Sequence, residues 1–272
     1  MPRKWTTEES EKYKKELENL YIKENKTISE ISKLLGISEK TVFKRLCRLD
    51  IETIPHKKDN FRNKRNDIKI PNGRSEDLAE IFGILLGDGH ISKSQVLITL
   101  GSKEKSYCEY VQNLFEKVFK VRPKHSVRAG GYYDLYIGSV ELVKWFIKNG
   151  MVHHKVKSQV NCPQWIKENK KYSKRFVRGF FDTDGSVYKL KFGIQISFTN
   201  ASFPLLQSAK DMLLYLEYKP SMISSQKVFL TKMENLDKFF IEINPKNQKH
   251  IDRFYTFKKQ CVGTQVVNEG RL

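Results

Sequence analysis

The 272-residue chain has only four cysteines (Cys47, Cys108, Cys162 and Cys261), scattered and with no C-x-x-C pair. That excludes a zinc-finger ligand set and a disulfide framework, and it suits a reducing intracellular compartment. The expected location is the cytoplasm or nucleoid, with an organelle left open. Six histidines include one adjacent pair, His153-His154, and no H-E-x-x-H spacing, so the pair reads as surface rather than as ligands. No apolar run approaches the roughly 18 residues of a membrane span, and no signal peptide opens the chain, so a membrane partner is set aside. Acidic residues are also scarce: 31 Asp and Glu face 50 Lys and Arg, a formal net charge of +19. Such an excess is either a merely soluble basic surface or a match for an anionic partner. Nucleic acid fits best, because Lys and Arg release counterions when they neutralise phosphates. With 39% hydrophobic and 12% aromatic residues, the chain has enough apolar material for real cores, which excludes wholesale disorder.

Among the patterns present, the first is "TISEISKLLGISEKTVFKRLCRLDI", residues 27 to 51. Ile28, Ile31, Leu34 and Leu35 form one helical stripe, Gly36 breaks it, and Ser38 caps a second helix with Val42, Leu46 and Leu49 on its apolar side. A preceding helix starts near Thr6. Three helices with a Gly-containing turn follow the helix-turn-helix plan, and the exposed side of the last helix offers Lys40, Thr41, Lys44, Arg45 and Arg48 to phosphates and base edges. A three-helix bundle with a solvated charged face is the other reading. The expected domain spans 1–53. Residues 54–75 lose all periodicity and read as a basic linker.

From there the chain repeats itself. "EDLAEIFGILLGDGHIS" (76 to 92) has the layout of "SKRFVRGFFDTDGSVY" (173 to 188). Gly83, Asp88 and Gly89 match Gly179, Asp184 and Gly185, each 96 positions later. Strand-like runs and amphipathic helices follow each motif in the order α-β-β-α-β-β-α. The expected class is therefore α+β, two duplicated αββαββα modules related by a pseudo-twofold axis, behind an all-α trihelical N-terminal domain. Module one covers 76–152, a connection 153–170, module two 171–250, and a tail 251–272. Gly83 and Gly87 share a helix face, as do Gly179 and Thr183, and small residues there let two helix backbones meet. Asp88 and Asp184 would then arrive side by side at two negative helix ends, an arrangement that makes sense if divalent cations lie between them. One Asp-Gly alone reads as a turn. Two copies, each ending a Gly-spaced apolar helix, do not.

These residues resemble the LAGLIDADG homing endonucleases in their single-chain form, with "IFGILLGDG" (81 to 89) and "VRGFFDTDG" (177 to 185) as the two motifs. The resemblance implies a monomeric, sequence-specific endonuclease that cuts both strands of a long double-stranded DNA target with Mg²⁺ or Mn²⁺. It assigns the metals to Asp88 and Asp184, assisted by Gly87 and Thr183. It places a water-organising polar residue at Asn200 and at Ser102, where the shorter side chain has Lys103 beside it as a substitute, and a later-strand lysine at Lys232. The strands would form a saddle on DNA, with Ser92, Ser94 and Thr99 facing it in one half and Lys189, Lys191, Gln195 and Ser197 in the other. Asp182 and Arg178 have no counterparts in the first motif (Leu86 and Phe82). They read as a helix-end residue and as a partner for a carboxylate or helix contact. An RNA maturase acting on its own intron RNA, and a non-cleaving transcription regulator on the same scaffold, stay open as alternatives. The Met1 start and the lack of flanking splicing motifs point to a free-standing or intron-borne gene rather than an intein.

Overall fold

The structure, a computed structural model, describes residues 6–24, 26–51 and 67–269, with 262–269 described by backbone alone. Most of the expected linker at 54–75, the edges of the 1–53 segment and the end of the 251–272 tail lie outside the described residues. The chain divides into two compact units, residues 1–64 and 65–272.

In the first unit, helix α1 (Thr7–Glu18) opens on a capping box. The Thr6 hydroxyl accepts from Glu9 N at 3.2 Å and the Glu9 carboxylate accepts from Thr6 N at 2.9 Å. A π-helical turn (Asn19–Lys23) follows, then α2 (Ile28–Leu35), which begins on a second capping box at Thr27 and Glu30. Gly36 ends it at φ 63°, a left-handed conformation that glycine adopts without penalty, and Ser38 caps α3 (Glu39–Arg48). Leu17, Tyr21, Ile31, Val42, Leu46 and Ile51 form the core. The expected stripe of α2 is narrower than its sequence: Leu34 is 59% exposed, being about a quarter-turn off the line through Ile28, Ile31 and Leu35.

The second unit holds the two modules. Module one runs α4 (Glu76–Gly87), β1 (Gly89–Ile91), β2 (Gln95–Leu100), α5 (Lys105–Phe119), β3 (Lys124–Val127), β4 (Tyr133–Gly138) and α6 (Val140–Lys148). A short α7 (Gln164–Lys167) leads into module two, with α8 (Lys170–Asp184), β5 (Gly185–Leu190), β6 (Gly193–Thr199), α9 (Phe203–Tyr215), β7 (Lys227–Leu230) and α10 (Met233–Glu242); α11 (Gln248–Glu269) closes the chain. Both sheets are antiparallel, ordered β1-β2-β4-β3 and β5-β6-β7. The αββαββα plan holds in both modules, but the strand before β7 is reduced to a fragment. Ser221 N donates to Phe229 O at 2.9 Å and a single bridge joins Ser224 to Lys227.

One sheet face carries alternating buried residues, Val96, Ile98 and Leu100 in β2 and Ile194, Ile196 and Phe198 in β6, which pack on the helices. At the centre, α4 and α8 cross. A Cβ on Gly83 would lie 2.3 Å from Phe176 O and 2.8 Å from Phe180 N; one on Gly179 would lie 2.3 Å from Glu80 O and 3.0 Å from Ile84 N. The two sets are the same positions shifted by 96, so the contact is its own image under the pseudo-twofold. Arg178, unmatched in the first motif, ties the crossing on one side. Its Nε donates to Ile243 O at 2.6 Å and its Nη1 lies 3.4 Å from the fully buried Glu80, to which Arg175 also pairs at 2.8 Å.

Candidate active site at the junction of the motif helices

Each motif ends its helix with an aspartate and leaves at once as a strand. Asp88 is the C-cap of α4, its N–H donating to Ile84 O at 3.1 Å, and Asp184 is the last residue of α8. The following glycines allow the sharp exit: a Cβ at Gly89 would sit 2.5 Å from Leu85 O, and one at Gly185 2.2 Å from Phe181 O. Gly87 and Thr183 abut, since a Cβ on Gly87 would fall 2.0 Å from Thr183 Oγ1 and 3.4 Å from the Asp184 carboxyl carbon. Gly83, Gly87, Gly179 and Thr183 thus form one interface, and Thr183 spends its hydroxyl on the carbonyls of Gly179 and Phe180 at 3.0 and 3.2 Å.

Burial pushes Asp184 up to about 7, with the charge of Asp88 adding to the rise and the Asn200 and Lys155 contacts opposing it. Surrounding protein pushes Asp88 up to about 6, helped by Glu104 and opposed by Lys155 and Lys249. Asp88 stays open to solvent on its outer side, so its perturbation is the weaker of the two in substance. Asn200, just past β6, donates to Asp184 Oδ2 at 2.6 Å and orients it.

The first half is built differently from the sequence expectation. Ser102 lies exposed in the turn before α5, against Gly131, and Glu104 stands beside Asp88 instead. Glu104 is buried; its carboxylate accepts from Asn247 Nδ2 at 2.6 Å, from Lys249 Nζ at 2.8 Å and from Gly101 N. Burial would raise it, yet these bonds outweigh burial and hold it below its usual range. Asp182 anchors the segment that delivers them. Its buried carboxylate accepts from Lys246 N at 2.9 and 3.1 Å and from Asn247 N at 3.1 Å, while burial lifts it to about 8.

The lysine at the junction is Lys155, not Lys232. Lys232 sits exposed at the N-cap of α10, whereas Lys155 Nζ donates to the terminal carbonyls of α4, Leu85 at 3.1 Å, Leu86 at 3.0 Å and Gly87. A cation there offsets the negative helix end and both aspartates, Asp184 before Asp88. Lys155 and Lys249 correspond. Each lies seven positions beyond the last residue of its module's final helix, 148 to 155 and 242 to 249. A search for basic residues at equal distances past the two modules would have found both; looking along the strands could not.

The positions expected to face DNA divide by sheet register. In the first sheet Thr99 shares with His90, Gln95 and Leu97 the face turned from the helices, and its hydroxyl donates to Asp134 at 2.8 Å, with Arg128 on the other carboxylate oxygen. Ser92 and Ser94 hold the β1–β2 turn, Ser92 Oγ donating to Gln95 O at 3.2 Å. In the second sheet Gln195 and Ser197 share one face, but Ser197 is fully buried. Lys189 pairs with Ile194 on the opposite face and donates to Gln260 at 2.7 Å, because a one-residue step flips a side chain across the sheet. Lys191 is in the hairpin turn, its ammonium 5.2 Å from the Phe192 ring centre. In the N-terminal unit Lys40, Lys44 and Arg48 are exposed on α3, Thr41 joins the cap with Ser38, and Arg45 lies 5.0 Å over the Tyr13 ring.

Among known proteins, the chain is 29% identical over 178 residues to a glutamine–fructose-6-phosphate aminotransferase (isomerizing) of Methanocaldococcus jannaschii, covering 64% of this chain and 16% of that protein. It is 31% identical over 116 residues to a replication factor C small subunit of the same organism, covering 42% of this chain and 6% of that protein. The chain thus spans only a small part of the curated relatives it matches. Similar solved structures include I-DmoI in complex with DNA and Mn, at 19% identity and TM-score 0.44, covering 62% of this chain and 96% of that one. The N-terminal LAGLIDADG domain of DUF199/WhiA aligns at 14% identity and TM-score 0.46, covering 66% and 89%. Among the described residues no helix is long and apolar enough to cross a membrane. A model of the LAGLIDADG-like domain matches residues 75–149 and 171–244, together more than half of the sequence and one match per module, and the chain belongs to that family.

Proposed function

We propose that the chain is a divalent-metal-dependent endonuclease that hydrolyses one phosphodiester bond in each strand of a long DNA duplex. The observation that carries this is the junction itself: two aspartates at adjoining helix ends, both raised above the usual carboxylate range, with lysines drawn in to balance them. Four carboxylate oxygens beside helix-end carbonyls form a hard, oxygen-only donor set, which suits Mg²⁺ or Mn²⁺. No group of three His, Cys, Asp or Glu that could hold a metal occurs among the described residues, so any ion there would complete its shell with water and phosphate oxygens. Asp88 and Asp184 would hold the ions, with the carbonyl of Thr183 assisting; that of Gly87, the other expected helper, is engaged by Lys155. When bound, the cations supply Lewis-acid stabilisation and a more acidic water.

The protein does the rest by position and charge. Asn200 fixes the rotamer of Asp184 and leaves its second oxygen free of that bond. Glu104, held by Asn247 and Lys249, adds a third carboxylate on the Asp88 side only. From its place on the end of α4, Lys155 would offset negative charge building on the phosphoryl group. The halves are therefore unequal, and one strand is expected to be cut faster than the other. For target binding, the α3 residues Lys40, Lys44 and Arg48 would contact phosphates and base edges, and the helix-distal sheet faces bearing Gln95, Thr99 and Gln195 would lie along the duplex. Retention of both motif carboxylates favours cleavage over a purely regulatory role. The test is incubation with a plasmid bearing the uninterrupted host locus, in Mg²⁺ or in EDTA. Linear product in Mg²⁺ alone supports the reading, and its absence under every divalent cation would refute it.

A further inference from the structure

Beside the junction, a cleft of about 460 Å³ is lined by His90, His153, His154, Lys155, Val156 and Lys157. Five of the six linings are nitrogen bases or ammonium groups, and no carboxylate is among them. His90 follows Asp88 by two positions, and Lys155 reaches from the cleft onto the end of α4, so the cleft opens at the edge of the candidate active site. His153 is oriented: its Nδ1 lies 2.9 Å from Ile91 O, which can only accept, so Nδ1 carries the proton. Lys155 is occupied by the α4 carbonyls. His90, His154 and Lys157 are exposed, and Val156 presents 57% of its surface.

We infer that this cleft seats a backbone phosphate of the bound DNA strand next to the bond being cut on the module-one side; the inference rests on the DNA-cleaving reading above. Lysine offers donors and no acceptor, His90 and His154 each add a ring N–H, and no carboxylate stands in the lining to repel an anion, so the cleft suits phosphate oxygens. The volume suits a phosphate with its sugar, and exposed Val156 supplies an apolar wall for the deoxyribose. The second module has no copy. With Lys155 set against Lys249, His153, His154 and Lys157 fall opposite Asn247, Gln248 and Ile251, and Ser186 stands where His90 does. The clamp is thus one-sided, and it fixes the orientation of an asymmetric target.

The test uses the full chain with sheared double-stranded DNA and with an RNA duplex. Carbethoxylation of histidines, mapped by mass spectrometry, should show His90 and His154 protected by the DNA. In a salt titration, the His154→Ala/Lys157→Ala double variant should lower the log–log slope by about 1, the amount expected when one phosphate is no longer neutralised. Lys157→Glu should weaken binding further while the thermal transition stays at the wild-type value. Wild-type slope in the double variant together with unprotected histidines would overturn the cleft and leave DNA binding intact. Failure of the wild-type protein to bind DNA would overturn both readings, and protection by RNA alone would overturn the DNA assignment of the cleft.

Discussion

Replacing Gly83 by alanine perturbs the centre of the molecule by one methyl group. The added Cβ would lie 2.3 Å from Phe176 O and 2.8 Å from Phe180 N, both backbone atoms that cannot rotate aside. Restoring ordinary contact requires the helix axes to part by roughly 1 Å, because close-packed interiors have no slack to absorb the atom. Overpacking of this kind costs about 1–3 kcal/mol, and rigid atoms on the far side place it at the upper end. Alanine in a helix interior returns about 1 kcal/mol, leaving a net loss near 2 kcal/mol. For a unit of this size that lowers Tm by about 4–8 °C. Differential scanning calorimetry in EDTA reads it, with Gly73→Ala as the control, since nothing lies within 4 Å of a Cβ there. Gly179→Ala should match Gly83→Ala, as the contact is symmetric. Variants at 83 and 179 within 1–2 °C of wild type, a shift below 1 kcal/mol, would refute a crossing on these glycines.

Other expectations concern charge and asymmetry. Asp184 and Asp182 titrate near 7 and 8 when folded, against an ordinary 3.8, so between about pH 4 and 8 the folded state holds protons that the unfolded state has lost. Metal-free stability should therefore fall as pH rises through that window, and Asp184→Asn should flatten the fall and exceed wild type at pH 8 by on the order of 2 kcal/mol in calorimetric scans. Glu104→Gln should slow nicking of one strand by tenfold or more while sparing the other, read on end-labelled duplexes; equal slowing of both strands would remove Glu104 from the Asp88 side. Deleting residues 1–53 should weaken DNA binding and flatten its salt dependence, measured by titration at several salt concentrations, if α3 contacts phosphates.

The core of this molecule was legible because its signals are local and repeated. Capping boxes at Thr6 and Thr27, Gly36 at a left-handed turn, and two glycine-spaced apolar helices 96 positions apart all mark elements whose causes lie within a few residues. The pairing of Gly83 with Gly179 followed from duplication, which turns a long-range contact into a comparison of two short strings. What the strings could not show was contact across modules. Lys155 lies in the turn-rich connection after α6 and Lys249 in the first turn of α11, and they reach the end of α4 and the Glu104 carboxylate through space, so strand periodicity carries no trace of them. Ser102 gave way to Glu104 because the turn before α5 aims the N-cap residue, not the turn residue, at the junction. Lys189 and Ser197 mark the limit of alternation: it separates two faces but does not say which is covered, and β6 buries residues on both.

The central claim is that Asp88 and Asp184 act as a pair, one at each strand's scissile phosphate. The most direct measurement is plasmid cleavage at the uninterrupted host locus in Mg²⁺ by Asp88→Asn and Asp184→Asn, with DNA affinity measured in parallel in Ca²⁺. Each variant should lose linear product by at least 100-fold while binding stays within about threefold of wild type, a difference below 1 kcal/mol. Linear product at the wild-type rate from either variant would contradict the paired-carboxylate site.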